Sequence, residues 1–227
     1  MRRPLRWVAA GLGAAVGGYA VLVANGWRRY GRPDPPRDDE ADVLLDRFMP
    51  EYEVAERHHV HVRAPAAVTF SAAVDADMHA SPVVRAVFKA RDILLGAEAE
   101  AEPGRPRGIV EETRALGWVV LAEIPGREIV LGAVTQPWRG NVLFRGVPPE
   151  AYLAFREPDY AKIVWNLRAD PAGPGESVFR TETRVVTTDA DARAKFRWYW
   201  ARFSPGIVLI RWLMLPSVKR EAERRAG

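Results

Sequence analysis

Two long strand-like segments near the C-terminus constrain the fold of this chain more than any other feature. Residues 160–169 (YAKIVWNLRA) and 177–188 (SVFRTETRVVTT) are separated by DPAGPGE, whose prolines and glycines are turn chemistry. Strands so close in sequence pair antiparallel. Along the second, Phe179, Thr181, Thr183 and Val185 share one face, and Arg180, Glu182 and Arg184 share the other. A long helix is expected from Ala190 to Arg225, with Phe196, Trp200, Phe203, Ile207, Ile210 and Met214 at three- and four-residue steps. Pro205, in Ser204-Pro205-Gly206, is expected to kink or break it.

The segments upstream extend this pattern. Residues 52–63 (YEVAERHHVHVR) predict a strand whose inward face carries Val54, Glu56, His58, Val60 and Val62. Helices are expected over 66–74 and, after the Ser81-Pro82 cap, to Leu95. Residues 97–108 read as a solvated loop. Strands follow at 116–123 and 127–136 around a tight Ile124-Pro125-Gly126 turn, with a short strand at 141–145 and one helical turn within 148–155. Helices near both ends of an antiparallel sheet imply an α+β domain.

The N-terminal tail is of a different kind. Trp7 to Trp27 is a run of 21 residues without a charge, flanked by arginines and interfacial aromatics. As a helix it measures ~31 Å, close to the hydrocarbon core of a bilayer. It is expected to be a single transmembrane helix, although a cleaved signal peptide is an alternative. The arginines before and after it are nearly balanced, so neither side of the membrane is favoured. The expected organisation is a membrane anchor over residues 1–29, a Pro- and acid-rich linker over 30–50 and one domain over 51–227.

Net charge is +4, but residues 1–33 contribute six arginines and no acid, leaving 27 basic and 29 acidic residues elsewhere. The domain is nearly neutral, and no nucleic-acid partner is expected. The absence of cysteine excludes disulfides and cysteine-ligated zinc. No phosphate-binding glycine loop, nucleophile elbow or H-E-x-x-H motif is present.

The opening HVHVRAPAAVTFSAAV, the strand pair YAKIVWNLRAD and ESVFRTETRVVTT, and the helix starting at TTDADARAKFRWYW together resemble the helix-grip fold of the START-like, or SRPBCC, superfamily, including bacterial polyketide cyclase/dehydrase-like proteins. The resemblance spans residues 52–224 and rests on element order, without a catalytic motif. It implies a β-α-α-β5-6-α order, with a curved antiparallel sheet around the C-terminal helix and an apolar cavity between them. The implied function is binding of a hydrophobic small molecule or lipid, with no cofactor. Fold alone does not imply a reaction.

Candidate ligand contacts are His58, Trp118, Thr135, Gln136, Trp138, Trp165, Thr181, Thr183 and Trp200, a few polar groups among large apolar ones. A cyclase- or dehydratase-like enzyme would use His58 with Glu56 or Tyr199 as acid and base. A third reading is a ligand-free interaction module. His59 and His61 share a strand face, as metal ligands do, but Glu53 or Glu182 would have to complete a site, so no metal is expected. Arg211, the one charge in FSPGIVLIRWLML, must snorkel or pair, with a strand acid or with an anionic head group. If residues 7–27 anchor the chain, it stays in the membrane pellet on alkaline extraction, and a reporter fused after Gly227 reveals on which side the domain lies.

Overall fold

The computed structural model describes residues 17–77, 81–96 and 108–227. Residues 17–29 are helical (α1), followed by helices Val43–Phe48 (α2), Ala66–Val74 (α3), Pro82–Leu95 (α4), Ile109–Ala115 (α5), Pro149–Tyr152 (α6) and Ala190–Ala226 (α7). The strands are Val54–Val62 (β1), Val119–Ile124 (β2), Glu128–Thr135 (β3), Phe144–Arg145 (β4), Ala161–Gly173 (β5) and Glu176–Thr187 (β6). They form one antiparallel sheet in the order β1-β6-β5-β3-β2, with β4 on β3. The α+β class and the C-terminal helix against an open sheet match the arrangement expected from the sequence.

Both hairpin turns use the same device. Pro125-Gly126 joins β2 to β3 and Pro174-Gly175 joins β5 to β6, with Gly126 at φ 72° and Gly175 at φ 73°. Proline supplies the first turn dihedral and only glycine takes the second without strain. The β5–β6 turn is shorter than the expected DPAGPGE. Both strands run into it, and an irregularity between Pro171 and Gly173 absorbs the proline.

Register fixes the two faces of the sheet. Glu56 lies opposite Thr183, His58 opposite Thr181, and Trp165 opposite both Thr183 and Leu131. This face packs on α3, α5 and α7 through Phe70, Ile109, Leu131, Trp165, Leu167, Phe179, Met214 and Val218. α5 was not expected: its short span gives few turns for a periodicity to show, but Ile109 and Val110 are buried. α7 continues through Pro205 and Pro216 as one helix, so of the expected kink or break the break does not occur. Packing on both the sheet and α3 outweighs the hydrogen bonds that proline cannot make. Its middle is covered less than its start: between Arg202 and Leu213 only Ser204 is buried, and Leu209 and Trp212 are exposed.

α1 packs on α7 near Gly26, where an added Cβ would meet Ser204 and Ala201. Tyr19 donates to the Arg202 carbonyl at 2.6 Å. The expected span lies partly outside the described residues, at 7–16. Among the described residues, no helix is long and apolar enough to cross a membrane.

The opposite face is covered by α2, α6 and the linker, which bury Leu45, Phe48, Met49 and Tyr152. It also carries a buried polar network. Arg184, 1% exposed, binds Glu182 at 2.7 Å, Asp46 at 2.6 Å and the Met49 carbonyl at 2.9 Å. Glu182 also pairs with Arg57 at 2.9 Å, as strand register suggests. Glu53, just before β1, bonds Tyr30 and Thr187. Asn166 donates to Asp42 at 2.6 Å and Glu128 at 3.0 Å, and accepts from the Glu182 amide at 2.7 Å.

Removing one member of a buried ion network leaves charge uncompensated. Arg184→Ala is therefore expected to lower unfolding stability by about 3–5 kcal/mol, read by chemical denaturation. Burial, with the Asp42 carboxylate beside it, pushes Glu128 well above the carboxylate range. A raised acid favours folding below its unfolded value, and that contribution is lost as pH climbs above it. Glu128→Gln should flatten the fall in stability on the alkaline side of pH ~4.5, in a pH series of denaturation midpoints.

Candidate functional site

The register of β1, β5 and β6 brings His58, Glu56, Thr181, Thr183 and Trp165 to the sheet face that packs on α7. Arg211, from the sparsely covered middle of α7, enters this group. Its guanidinium donates to Thr181 Oγ1 at 3.1 Å and Thr183 Oγ1 at 2.7 Å, and lies 5.3 Å from the Trp165 ring centroid. No carboxylate lies within ion-pair distance of it among the described residues. The pairing with a strand acid considered from sequence is thus replaced by hydroxyls. Glu56 attracts Arg211 only at longer range.

The electrostatics follow from burial. Desolvation pulls Arg211 down to about 10, opposed by Glu56. His58 is pushed down to about 4, first by desolvation and then by the positive charges of Arg211 and His59. It is neutral at physiological pH. Its Nε2 is buried without a hydrogen-bond partner and lies 3.8 Å from Glu56 Oε2. Desolvation raises Glu56, with Arg29 and Arg211 opposing. The result is a desolvated cation, an unpartnered imidazole nitrogen and two hydroxyls around an aromatic ring. Such a group can hold an anionic or hydrogen-bonding end of a ligand.

The other sequence candidates go elsewhere. Thr135 is buried and donates to the Leu143 carbonyl at 2.8 Å. Gln136 binds the Asp159 carbonyl and carboxylate at 2.8 and 2.9 Å, bracing a backbone held at φ 66°. Trp138 packs beside Lys195, and Trp118 lies 5.1 Å from Phe144, centroid to centroid. Trp200 stacks on Phe196, and Tyr199 packs against Phe196 and Phe203. No hydrogen bond joins Tyr199 to His58 or Glu56 among the described residues. His59 and His61 stack edge to face on the opposite side of the sheet, at 6.4 Å. Among the described residues, no group of three or more His, Asp or Glu could hold a metal.

Two surface cavities lie outside this cluster. One, of about 280 Å³, opens between α3, α4 and α7 along Ala72, Val84, Ile210 and Met214. The other, of about 500 Å³, is lined by Arg28, Tyr30, Gly31, Arg32, Arg193 and Arg197. Sequence reading did not assemble this arginine group, because its members are ~165 positions apart and meet only where α1 crosses α7. Arg211 did carry a signal, as the lone charge in an apolar helical stretch.

No family model matches the chain, and no curated protein matches it. Among solved structures it is similar to the Zhui aromatase/cyclase from Streptomyces sp. R1128, at 16% identity over 77% of this chain and 96% of that one, with a TM-score of 0.27. Norcoclaurine synthase from Thalictrum flavum overlaps at 13% identity over 77% and 88%, with a TM-score of 0.32. Ara h 8.0201 overlaps at 10% identity over 74% and 97%, with a TM-score of 0.27. Likeness at this level carries no argument for the site, which rests on its own geometry.

Because Arg211 lowers the His58 value, Arg211→Met should raise it, and the histidine NMR titration should move upward from about 4. A base depressed on folding supports stability above its unfolded value, and that support is lost as pH falls through the folded one. His58→Gln should therefore reduce the loss of stability between about pH 6.5 and 4, measured by denaturation across that range.

Proposed function

We propose that this domain binds a hydrophobic molecule with an anionic end, such as a long-chain fatty acid, between α7 and the sheet face it packs on. The observation that carries this reading is Arg211. It is a desolvated guanidinium satisfied by two threonine hydroxyls, beside an unpartnered His58 nitrogen and the Trp165 ring. A charge so placed is costly to folding unless something else uses it. The half-covered middle of α7, apolar from Phe203 to Leu215 apart from Ser204, Gly206 and Arg211, provides a route for an alkyl chain.

We further propose that residues 7–27 hold the domain at a membrane, so that the ligand is drawn from the bilayer. The uncharged run supports this, as does the exposure of Tyr19, Val21, Leu22 and Trp27 on α1. Acid–base chemistry by His58 and Glu56 is the second reading, supported by their 3.8 Å approach.

The test titrates the full chain in neutral detergent with a fluorescent long-chain fatty acid and with the matching alcohol. The acid is expected to bind saturably and more tightly. Arg211→Met should weaken it at least about tenfold, since a charge-assisted hydrogen bond contributes ~1.5–3 kcal/mol. The same variant should be as stable as the parent, or more stable by about 1–4 kcal/mol, because a buried charge has been replaced by an apolar side chain. Equal binding of acid and alcohol, unchanged in the variant, would exclude the proposal.

A further inference from the structure

From the 500 Å³ cleft at the α1–α7 junction we infer a second site, for a phosphate group borne by a lipid headgroup or free in solution. Four guanidinium groups line it, those of Arg28 and Arg32 from the end of α1 and Arg193 and Arg197 from the first turns of α7. No carboxylate is among the lining residues.

Two of the four have work within the fold. Arg197 donates to the Trp27 carbonyl at 3.0 Å and stacks 4.2 Å over the Trp27 ring, satisfying the carbonyl end of α1. Arg193 lies 3.5 Å from Glu53. Arg28 and Arg32 bind no side chain or carbonyl through their guanidinium groups among the described residues. Neighbouring Arg29, in contrast, pairs with Asp34. Two acceptors beside the cleft are already engaged: the Tyr30 hydroxyl bonds Glu53, and the Glu53 carbonyl accepts from the Gly31 amide at 3.0 Å. The cleft thus gathers like charge with a surplus of donors.

Phosphate answers both features. It is an anion with several acceptor oxygens, and guanidinium forks bind it bidentately. A cleft of this volume holds more than a bare ion. It also lies where the uncharged run ends, beside Trp27 and Tyr30, at the height of a headgroup if that run enters a bilayer. This site shares no residue with the Arg211 cluster, and the two stand or fall separately.

The test uses the full chain in neutral detergent micelles. One arm titrates inorganic phosphate and the other dopes the micelles with phosphatidylglycerol, binding being followed by tryptophan fluorescence and by native mass spectrometry. Saturable binding is expected in at least one arm. The lipid arm alone identifies a headgroup, and the phosphate arm identifies a soluble anion. Arg28→Gln and Arg32→Gln, both at exposed positions, should each weaken binding roughly fivefold. Arg220→Gln, which removes the same charge near the far end of α7, should leave it unchanged. Absence of saturable binding in both arms, or an equal loss in Arg220→Gln, would overturn the inference.

Discussion

Strand β6 is paired along both edges, to β1 and to β5, and this leaves none of its side chains a choice of face. Thr181 and Thr183 must point toward α7, and Glu182 and Arg184 must point away. Because the strand period is two, a slip of one residue in register would place the ion network under α7 and the hydroxyls against α2. The rest of the architecture assumes this pairing. α2 and the linker seal a charged surface, and α7 covers an apolar one that contains one polar cluster.

The two arginines that reach these faces are handled differently. Arg184 lies within reach of two carboxylates and a carbonyl, so its desolvation is offset within the fold, and its value is raised despite burial. Arg211 meets hydroxyls and a distant Glu56, so its value falls. A fold gains little from a charge of the second kind. The difference between a structural ion pair and a binding group is therefore one of partners, since both residues are arginines on packed elements.

Much of the fold was legible because local physics agrees with it. Alternation placed Glu56 and His58 on the inward face of β1, and both hairpins followed from Pro-Gly chemistry. The Ser81 cap is in place, 3.5 Å from the Val84 amide. α5 was missed because its short span gives few turns for a periodicity to show, and the β5–β6 turn was drawn too long because prolines read as breakers. Thr135, Gln136 and Trp138 have pocket-like chemistry, yet the first two brace the loops around Leu143 and Asp159, and Trp138 packs beside Lys195 of α7. Residue type alone does not distinguish a side chain that holds a loop from one that awaits a ligand.

The amino-acid sequence determined most of the elements, the faces of β1 and β6 and the concentration of positive charge in the N-terminal tail, since all three depend on neighbours along the chain. Tertiary structure decided which charges meet. It placed Arg211 on Thr181 and Thr183 across 28–30 positions, and it brought Arg28 and Arg32 to Arg193 and Arg197. It also kept α7 one helix at Pro205, where helix propensity favoured a kink or break. Electrostatic and packing energies depend on distance through space, and only the folded chain sets that distance.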